Sequence, residues 1–214
     1  MLNRFTSLLL ALICLYGCGT TGVDEGGLPQ PKIDAQAAPL ATQAPVQEPQ
    51  PEIDADTLAD FDRALALMRG SDYASAQTIL EALTKQHPEL AGPWVNLGLV
   101  HLAQHREEPA QAALQAALVA NPYNCDAHNQ LGVLARQQGA YEEAERHYRT
   151  CLDVRADYAP AYLNLAILYE LYMGRFADAL LAYQDYQLTL PQPDSRVSGW
   201  MMDLERRISA LATR

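Results

Sequence analysis

Residues Ala91–Pro122 have the sequence AGPWVNLGLVHLAQHREEPAQAALQAALVANP, and this stretch decides the fold. It contains two apolar runs of helical spacing with a short polar stretch between them. Gly98 lies in the first run and Ala110 in the second, and two antiparallel helices approach closely only where the facing side chains are small. Pro122 follows the second run, where the helix no longer needs the backbone donor that proline lacks. The stretch therefore predicts a helical hairpin.

The same pattern recurs with a period of 34 residues, over residues 57–90, 91–124, 125–158 and 159–193. The last repeat carries one extra residue between Tyr169 and Gly174. Repeat positions 8 and 20 hold small residues throughout: Ala64, Gly98, Gly132 and Ala166, and Ala76, Ala110, Ala144 and Ala179. A fixed period of this length is typical of stacked helical hairpins, each of which buries its apolar face against its neighbours.

These repeats resemble the tetratricopeptide repeat family. The resemblance implies an all-α fold, a right-handed α-solenoid of about four helix hairpins, in a domain that spans residues 54–193. Residues 194–214 follow with apolar side chains at spacings of three and four, among them Val197, Trp200, Leu204 and Leu211. We expect them to form a helix that caps the stack.

In this family the first helix of each hairpin lines a concave groove that binds protein partners. Position 9 carries an aliphatic side chain in every repeat, which favours an amphipathic helix or an extended apolar peptide as the ligand. The alternative is that this row only packs neighbouring first helices together. The resemblance assigns these residues to the groove: Phe61, Leu65, Val95, Asn96, Leu99, Asn129, Gln130, Val133, Arg136, Leu163, Asn164, Ile167 and Glu170.

The first 18 residues have the layout of a secretory signal, with Arg4 before the apolar run Leu8–Leu15. The run is too short to span a bilayer as a mature helix. Leu15–Cys18 resembles a bacterial lipobox, which implies that Cys18 carries the lipid anchor; an ordinary signal peptide or an uncleaved anchor remains the alternative. By the sorting rule of such lipoproteins, Gly19 implies the outer membrane, with the repeats in the periplasm.

Residues 19–53 are rich in proline, glutamine and alanine and show no helical or strand period. This composition predicts a disordered tether. A flexible chain of this length would extend to roughly 35 Å on average. The alternative is that part of the tether folds back into the groove.

The formal net charge of the chain is −11. Nucleic acid is excluded as a partner because phosphate contacts need a basic face, and the sequence has no stripe of lysine or arginine. We therefore expect contact with the membrane only through the lipid anchor.

Two cysteines remain after the signal, Cys125 and Cys151, at positions 1 and 27 of the same repeat. In an antiparallel helix pair the start of the first helix lies beside the end of the second, so a disulfide fits this spacing. Two separate buried thiols fit it as well.

Catalytic and metal-binding patterns are scarce. His101 and His105 are four residues apart, which would place both imidazoles on one helix face as metal ligands. His101 also falls where Tyr169 lies in the fourth repeat, and His128 falls at position 4, where another repeat has Trp94. We therefore interpret both as substitutes for packing aromatics, and we expect no enzyme, no metal and no cofactor.

The chain resembles pilotin-like and pilus-assembly lipoproteins that bear these repeats. The resemblance implies a scaffold that binds a protein segment in its groove and helps to assemble an envelope machine of the pilus or secretion type. An adaptor for cell-wall hydrolases, or for an energy-transducing inner-membrane complex, is the alternative. A periplasmic metal-binding protein that uses His101 and His105 is a more remote one.

Overall fold

The computed structural model of the protein describes residues 53–213, and every regular element in that part of the chain is helical. The predicted all-α helical repeat fold is confirmed. The elements are α1 (Ala55–Arg69), α2 (Tyr73–Gln86), α3 (Ala91–Ala103), α4 (Glu107–Ala120), α5 (Cys125–Gln137), α6 (Tyr141–Val154), α7 (Ala159–Ile167), a π-helical turn (Leu168–Tyr172), α8 (Phe176–Leu188) and α9 (Ser195–Ala212).

The signal peptide over residues 1–18, its lipid anchor Cys18 and the tether up to residue 52 lie outside the described residues. None of the helices within residues 53–213 is both long enough and apolar enough to cross a bilayer.

The helices pack as four consecutive hairpins, α1 with α2, α3 with α4, α5 with α6, and α7 with α8. The second helix of each hairpin also packs against the first helix of the next unit, so α2 contacts α3, α4 contacts α5, α6 contacts α7 and α8 contacts α9. Contacts between neighbours in sequence therefore hold the stack together, as expected of a solenoid.

Small residues lie where the two helices of a hairpin approach each other. A Cβ atom added to Gly98 would lie 2.8 Å from Cγ of Leu114 and 3.3 Å from the carbonyl oxygen of Ala110. A Cβ atom added to Gly132 would lie 2.5 Å from the ring of Tyr148. Larger side chains at these glycines would force the helices apart, which is the physical reason for the small residues of positions 8 and 20.

Position 4 ties the second and third repeats to the proline that ends the preceding repeat. Nε1 of Trp94 donates a hydrogen bond of 3.0 Å to the carbonyl oxygen of Pro88. Nε2 of His128 makes the equivalent contact, 3.0 Å from the carbonyl oxygen of Pro122. The interpretation of His128 as a substitute for a packing aromatic is confirmed, because it fills the same position and forms the same bond.

The turns inside the four hairpins share one left-handed residue at position 15. The residues and their φ angles are Ser71 (61°), His105 (57°), Gly139 (79°) and Gly174 (65°). The helix-face prediction for His101 and His105 is therefore wrong: α3 ends at Ala103, and the left-handed backbone takes His105 off its face. Within residues 53–213, no group of three or more His, Cys, Asp or Glu side chains has the proximity that a metal ion needs.

Replacing His105 with glycine is expected to stabilise the protein by about 1 kcal/mol, because an L side chain in the left-handed region is strained and glycine is not. Urea unfolding followed by circular dichroism measures the change. Gly139→Ala is the matched control at the same turn position and should destabilise by a similar amount. A loss of stability in His105→Gly would contradict the assigned turn.

The extra residue of the fourth repeat is absorbed by the π-helical turn Leu168–Tyr172. The amide of Met173 donates to the carbonyl oxygen of Leu168, five residues earlier, at 3.1 Å. A single π turn is the usual way in which a helix accommodates one inserted residue. The sequence locates the insertion, and the structure shows its geometry.

Helix α9 packs on α8 through Val197 and Leu204, which are buried. Trp200 and Leu211, predicted on the same apolar stripe, are 44% and 53% exposed. The helix closes the stack with only part of its apolar surface.

Candidate functional site

The four aliphatic residues of position 9 lie on α1, α3, α5 and α7, the first helices of the hairpins. All four are half-buried: Leu65, Leu99, Val133 and Ile167. Leu99 packs against the core cluster that contains Leu114, and Val133 packs against the cluster that contains Tyr148. Each side chain thus contributes one part of its surface to packing and leaves the rest accessible.

Position 5 divides into accessible and buried residues. Phe61 and Leu163 are half-buried, like the row of position 9. Val95 and Asn129 are only 5% and 4% exposed, so little of either side chain reaches the groove. Nδ2 of Asn164 donates a hydrogen bond of 2.9 Å to Oδ1 of Asn129, which links the first helices of repeats three and four.

The polar residues of position 6 keep part of their surface accessible. Asn96, Gln130 and Asn164 are half-buried on α3, α5 and α7. Nδ2 of Asn96 donates a hydrogen bond of 2.9 Å to the carbonyl oxygen of Gly92, which fixes that amide on its own helix. Amides therefore flank the aliphatic row at three of the four repeats.

Glu170 differs from its expected role as a free polar group of the groove. Its carboxylate accepts a hydrogen bond of 3.0 Å from the Tyr183 hydroxyl and forms an ion pair of 2.7 Å with Nη1 of Arg207. Burial, together with this carboxylate, raises the pKa of Tyr183. Glu170 lies on the π turn and links it to α8 and α9, so the carboxylate is already occupied within the chain.

Arg136, the remaining groove residue, lies under an aromatic side chain that sequence reasoning missed. Its guanidinium carbon is 5.6 Å from the ring centroid of Tyr172, and that ring lies 5.4 Å from the ring of Tyr141. Tyr172 is 45% exposed and its neighbour Leu171 is 65% exposed. Both residues belong to the π turn. The residue inserted in the fourth repeat was therefore the only feature of the sequence that pointed to this aromatic contact.

A partly buried ionic network links repeats three and four. Glu145 accepts hydrogen bonds from the Tyr169 hydroxyl at 2.6 Å, from Arg175 at 2.9 Å and from Arg149 at 3.0 Å. Burial opposes ionisation of Glu145, but these donors outweigh it and lower the pKa of the carboxyl group. The network is satisfied within the chain, and we assign it a structural role.

His128 and His147 form a second internal pair, with their Nδ1 atoms 2.9 Å apart. Because Nε2 of His128 donates to the Pro122 carbonyl, its Nδ1 is the acceptor and Nδ1 of His147 is the donor. Burial, and then the nearby His128, lower the pKa of His147, which favours the neutral form of His147. The pair joins α5 to α6 and is likewise structural.

The two cysteines lie where the disulfide hypothesis requires. Their sulfur atoms are in bonding contact, and their Cα atoms are 4.6 Å apart, within the range of disulfide bonds. Cys125 is 3% exposed and Cys151 is fully buried. The bond joins the start of α5 to the end of α6.

Stacked hairpins with an accessible apolar row on their first helices define a helical-repeat scaffold for protein–protein interaction. A family model described as tetratricopeptide repeat matches residues 61–124 and again residues 95–160. Residues 61–160 therefore carry tetratricopeptide repeats.

Known proteins share these repeats. Superkiller complex protein 3 of Mus musculus is 30% identical over 115 residues, a match that covers 53% of this chain and 7% of that protein. The structure of pilF from Pseudomonas aeruginosa has a TM-score of 0.65 at 18% identity, over 72% of this chain and 69% of that one. The structure of YrrB, titled a tetratricopeptide repeat protein with an unusual peptide-binding site, has a TM-score of 0.55 at 19% identity, over 70% and 74%. At these identities the structures show a shared fold, and the comparisons indicate no enzyme family.

Proposed function

We propose that this chain is a lipid-anchored scaffold of the bacterial envelope, held at the outer membrane through Cys18 with its repeats in the periplasm. Its groove binds an apolar segment of a component of a pilus or secretion machine. The tether gives the repeat domain a reach of tens of ångströms from the anchor.

The row Leu65, Leu99, Val133 and Ile167 is the observation that carries the binding part of this proposal. Four half-buried aliphatic side chains occupy equivalent positions on four first helices. A partner that covers them would remove their remaining apolar surface from water without any rearrangement of the stack. Because the row is flanked by amides, the ligand is expected to be amphipathic, either a helix or an extended peptide.

The location rests on the N-terminal sequence and on the resemblance to envelope lipoproteins. The signal-like layout of residues 1–18 and the lipobox-like end at Cys18 support export and lipidation. Several acyl chains would make release from the membrane negligible, whereas a single chain binds only marginally. Metabolic labelling with a radioactive fatty acid should mark the wild type and leave Cys18→Ser unlabelled.

An arginine in the groove is expected to abolish partner binding. Ile167→Arg places a charge in the apolar row, and we expect partner recovery to fall at least about tenfold, since a charge at an apolar contact costs well over 1.4 kcal/mol. The measurement is quantitative affinity purification from crosslinked envelopes, with unfolding by urea to show that the fold remains.

Val119→Arg is the matched control, because Val119 is a β-branched residue of helix α4, outside the groove, and 85% exposed. It should leave both recovery and stability unchanged. Unchanged recovery in Ile167→Arg would remove the groove from the proposal, while equal loss in both variants would assign binding to a wider surface.

A further inference from the structure

Arg136 is the half-buried arginine whose donors are unused. Two other arginines within residues 53–213 are half-buried. Arg106 donates through Nη2 to two glutamine side chains while its Nε atom is buried without a partner, and Arg175 donates to two carboxylates. The Arg136 guanidinium donates no hydrogen bond to another described residue, and its Nη1 atom is buried without a partner.

A guanidinium that is partly removed from water normally acquires an acceptor, because burial of an unpaired charge is costly. The Tyr172 ring, 5.6 Å from the Arg136 guanidinium carbon, stacks with the cation but offers no lone pair to its N–H groups. The cation is therefore left without an anionic partner in the described part of the chain, although residues 53–213 contain 21 carboxyl side chains.

Behind this arginine lies a second unused polar group. The Tyr148 hydroxyl is buried and has no hydrogen-bond partner. Burial raises the pKa of Tyr148 to about 12; the Arg136 charge opposes the increase and Tyr172 adds to it, so all three groups are close. The hydroxyl stays protonated, so the cluster combines a cation with a buried O–H donor and has no fixed anion.

This cluster continues the apolar row of the groove. Val133 precedes Arg136 by three residues on α5, a spacing that places both on the same helix face. Ile167 is the last residue of α7, and Leu171 and Tyr172 follow it on the π turn. A segment bound between Val133 and Ile167 would therefore reach Arg136 within one helical turn.

We infer that Arg136 and Tyr172 bind a carboxylate carried by the same protein segment that occupies the apolar row. The inference rests on the proposed function of the groove and specifies its ligand: an apolar segment with an acidic side chain one turn from the residue that contacts Val133. The carboxylate accepts two N–H groups of the arginine, and the apolar neighbours of the carboxylate cover the exposed faces of Leu171 and Tyr172.

Two blocked five-residue peptides test the inference on the full-length protein in detergent solution. One has the sequence Leu-Leu-Glu-Leu-Leu and the other has glutamine at the centre, each with a fluorescent label for anisotropy. The acidic peptide should bind about tenfold more tightly, the size expected of one charge-assisted contact. Arg136→Gln should equalise the two affinities.

Arg155→Gln is the control, because Arg155 is an exposed arginine that also lies over a tyrosine ring, 4.6 Å from Tyr158; it should retain the tenfold difference. Equal binding of both peptides to the wild type would overturn the carboxylate site and leave the groove in place. A preference that survives Arg136→Gln would overturn it as well. Failure of both peptides to bind at millimolar concentration would remove the site and the groove together.

Discussion

Ala110→Arg is expected to abolish the cooperative folding of the repeat domain. Ala110 is fully buried, and its carbonyl oxygen lies 3.3 Å from the position that a Cβ atom on Gly98 would take. A guanidinium at this contact has neither room nor a partner, so the loss should be about 4 kcal/mol or more, close to the whole stability of a domain. Thermal unfolding followed by circular dichroism measures it.

Ala112→Arg is the matched control, since Ala112 lies two residues away on the same helix and is exposed. Its stability should stay within about 0.5 kcal/mol of the wild type. A wild-type melting curve for Ala110→Arg would contradict the close approach of α3 and α4, and with it the stacked hairpins.

Reduction of the Cys125–Cys151 bond is expected to lower the free energy of unfolding by about 3.5 kcal/mol. The cysteines are 26 residues apart in sequence. The figure of about 3.5 kcal/mol corresponds to the conformational entropy that a closed loop of this length removes from the unfolded chain. Urea unfolding with and without reductant, on protein purified under oxidising conditions, measures the difference.

The double variant Cys125→Ala/Cys151→Ala should unfold at the same urea concentration under both conditions. Thiol titration of the denatured, unreduced protein gives an independent measurement. Two free thiols would show that the residues are separate buried cysteines, the alternative that the sequence left open.

The repeat pattern predicts the hairpins because each small position has a steric reason. Gly98 and Gly132 are required where a helix pair leaves less than 3 Å for a Cβ atom, and this requirement recurs with the repeat. His128 is also predictable, because its ring nitrogen makes the bond to a proline carbonyl that the Trp94 indole makes one repeat earlier.

Other features of the structure depend on backbone geometry, which the residue types at the repeat positions do not specify. Nothing in the run of α3 marks His105 as a left-handed turn residue, since glycine is absent there. The extra residue of repeat four is visible in the sequence. The sequence does not show the π turn that brings Glu170 to Tyr183 and Arg207.

The prediction of which residues line the groove is limited in the same way. Family positions place Val95 and Asn129 in the groove, whereas local packing buries both almost completely. Arg136 is assigned correctly to a groove helix, but its contact with Tyr172 arises only after the inserted residue has shifted the end of the first helix of repeat four.

Photocrosslinking in cells tests the central claim most directly. A photoreactive amino acid at Ile167 of the full-length protein should capture one envelope protein, and mass spectrometry should map the crosslink to an apolar segment with an acidic residue. The same amino acid at Val119, which is 85% exposed on α4, should capture little or none of it. Equal capture from both positions, or capture from Val119 alone, would contradict a partner bound in the groove.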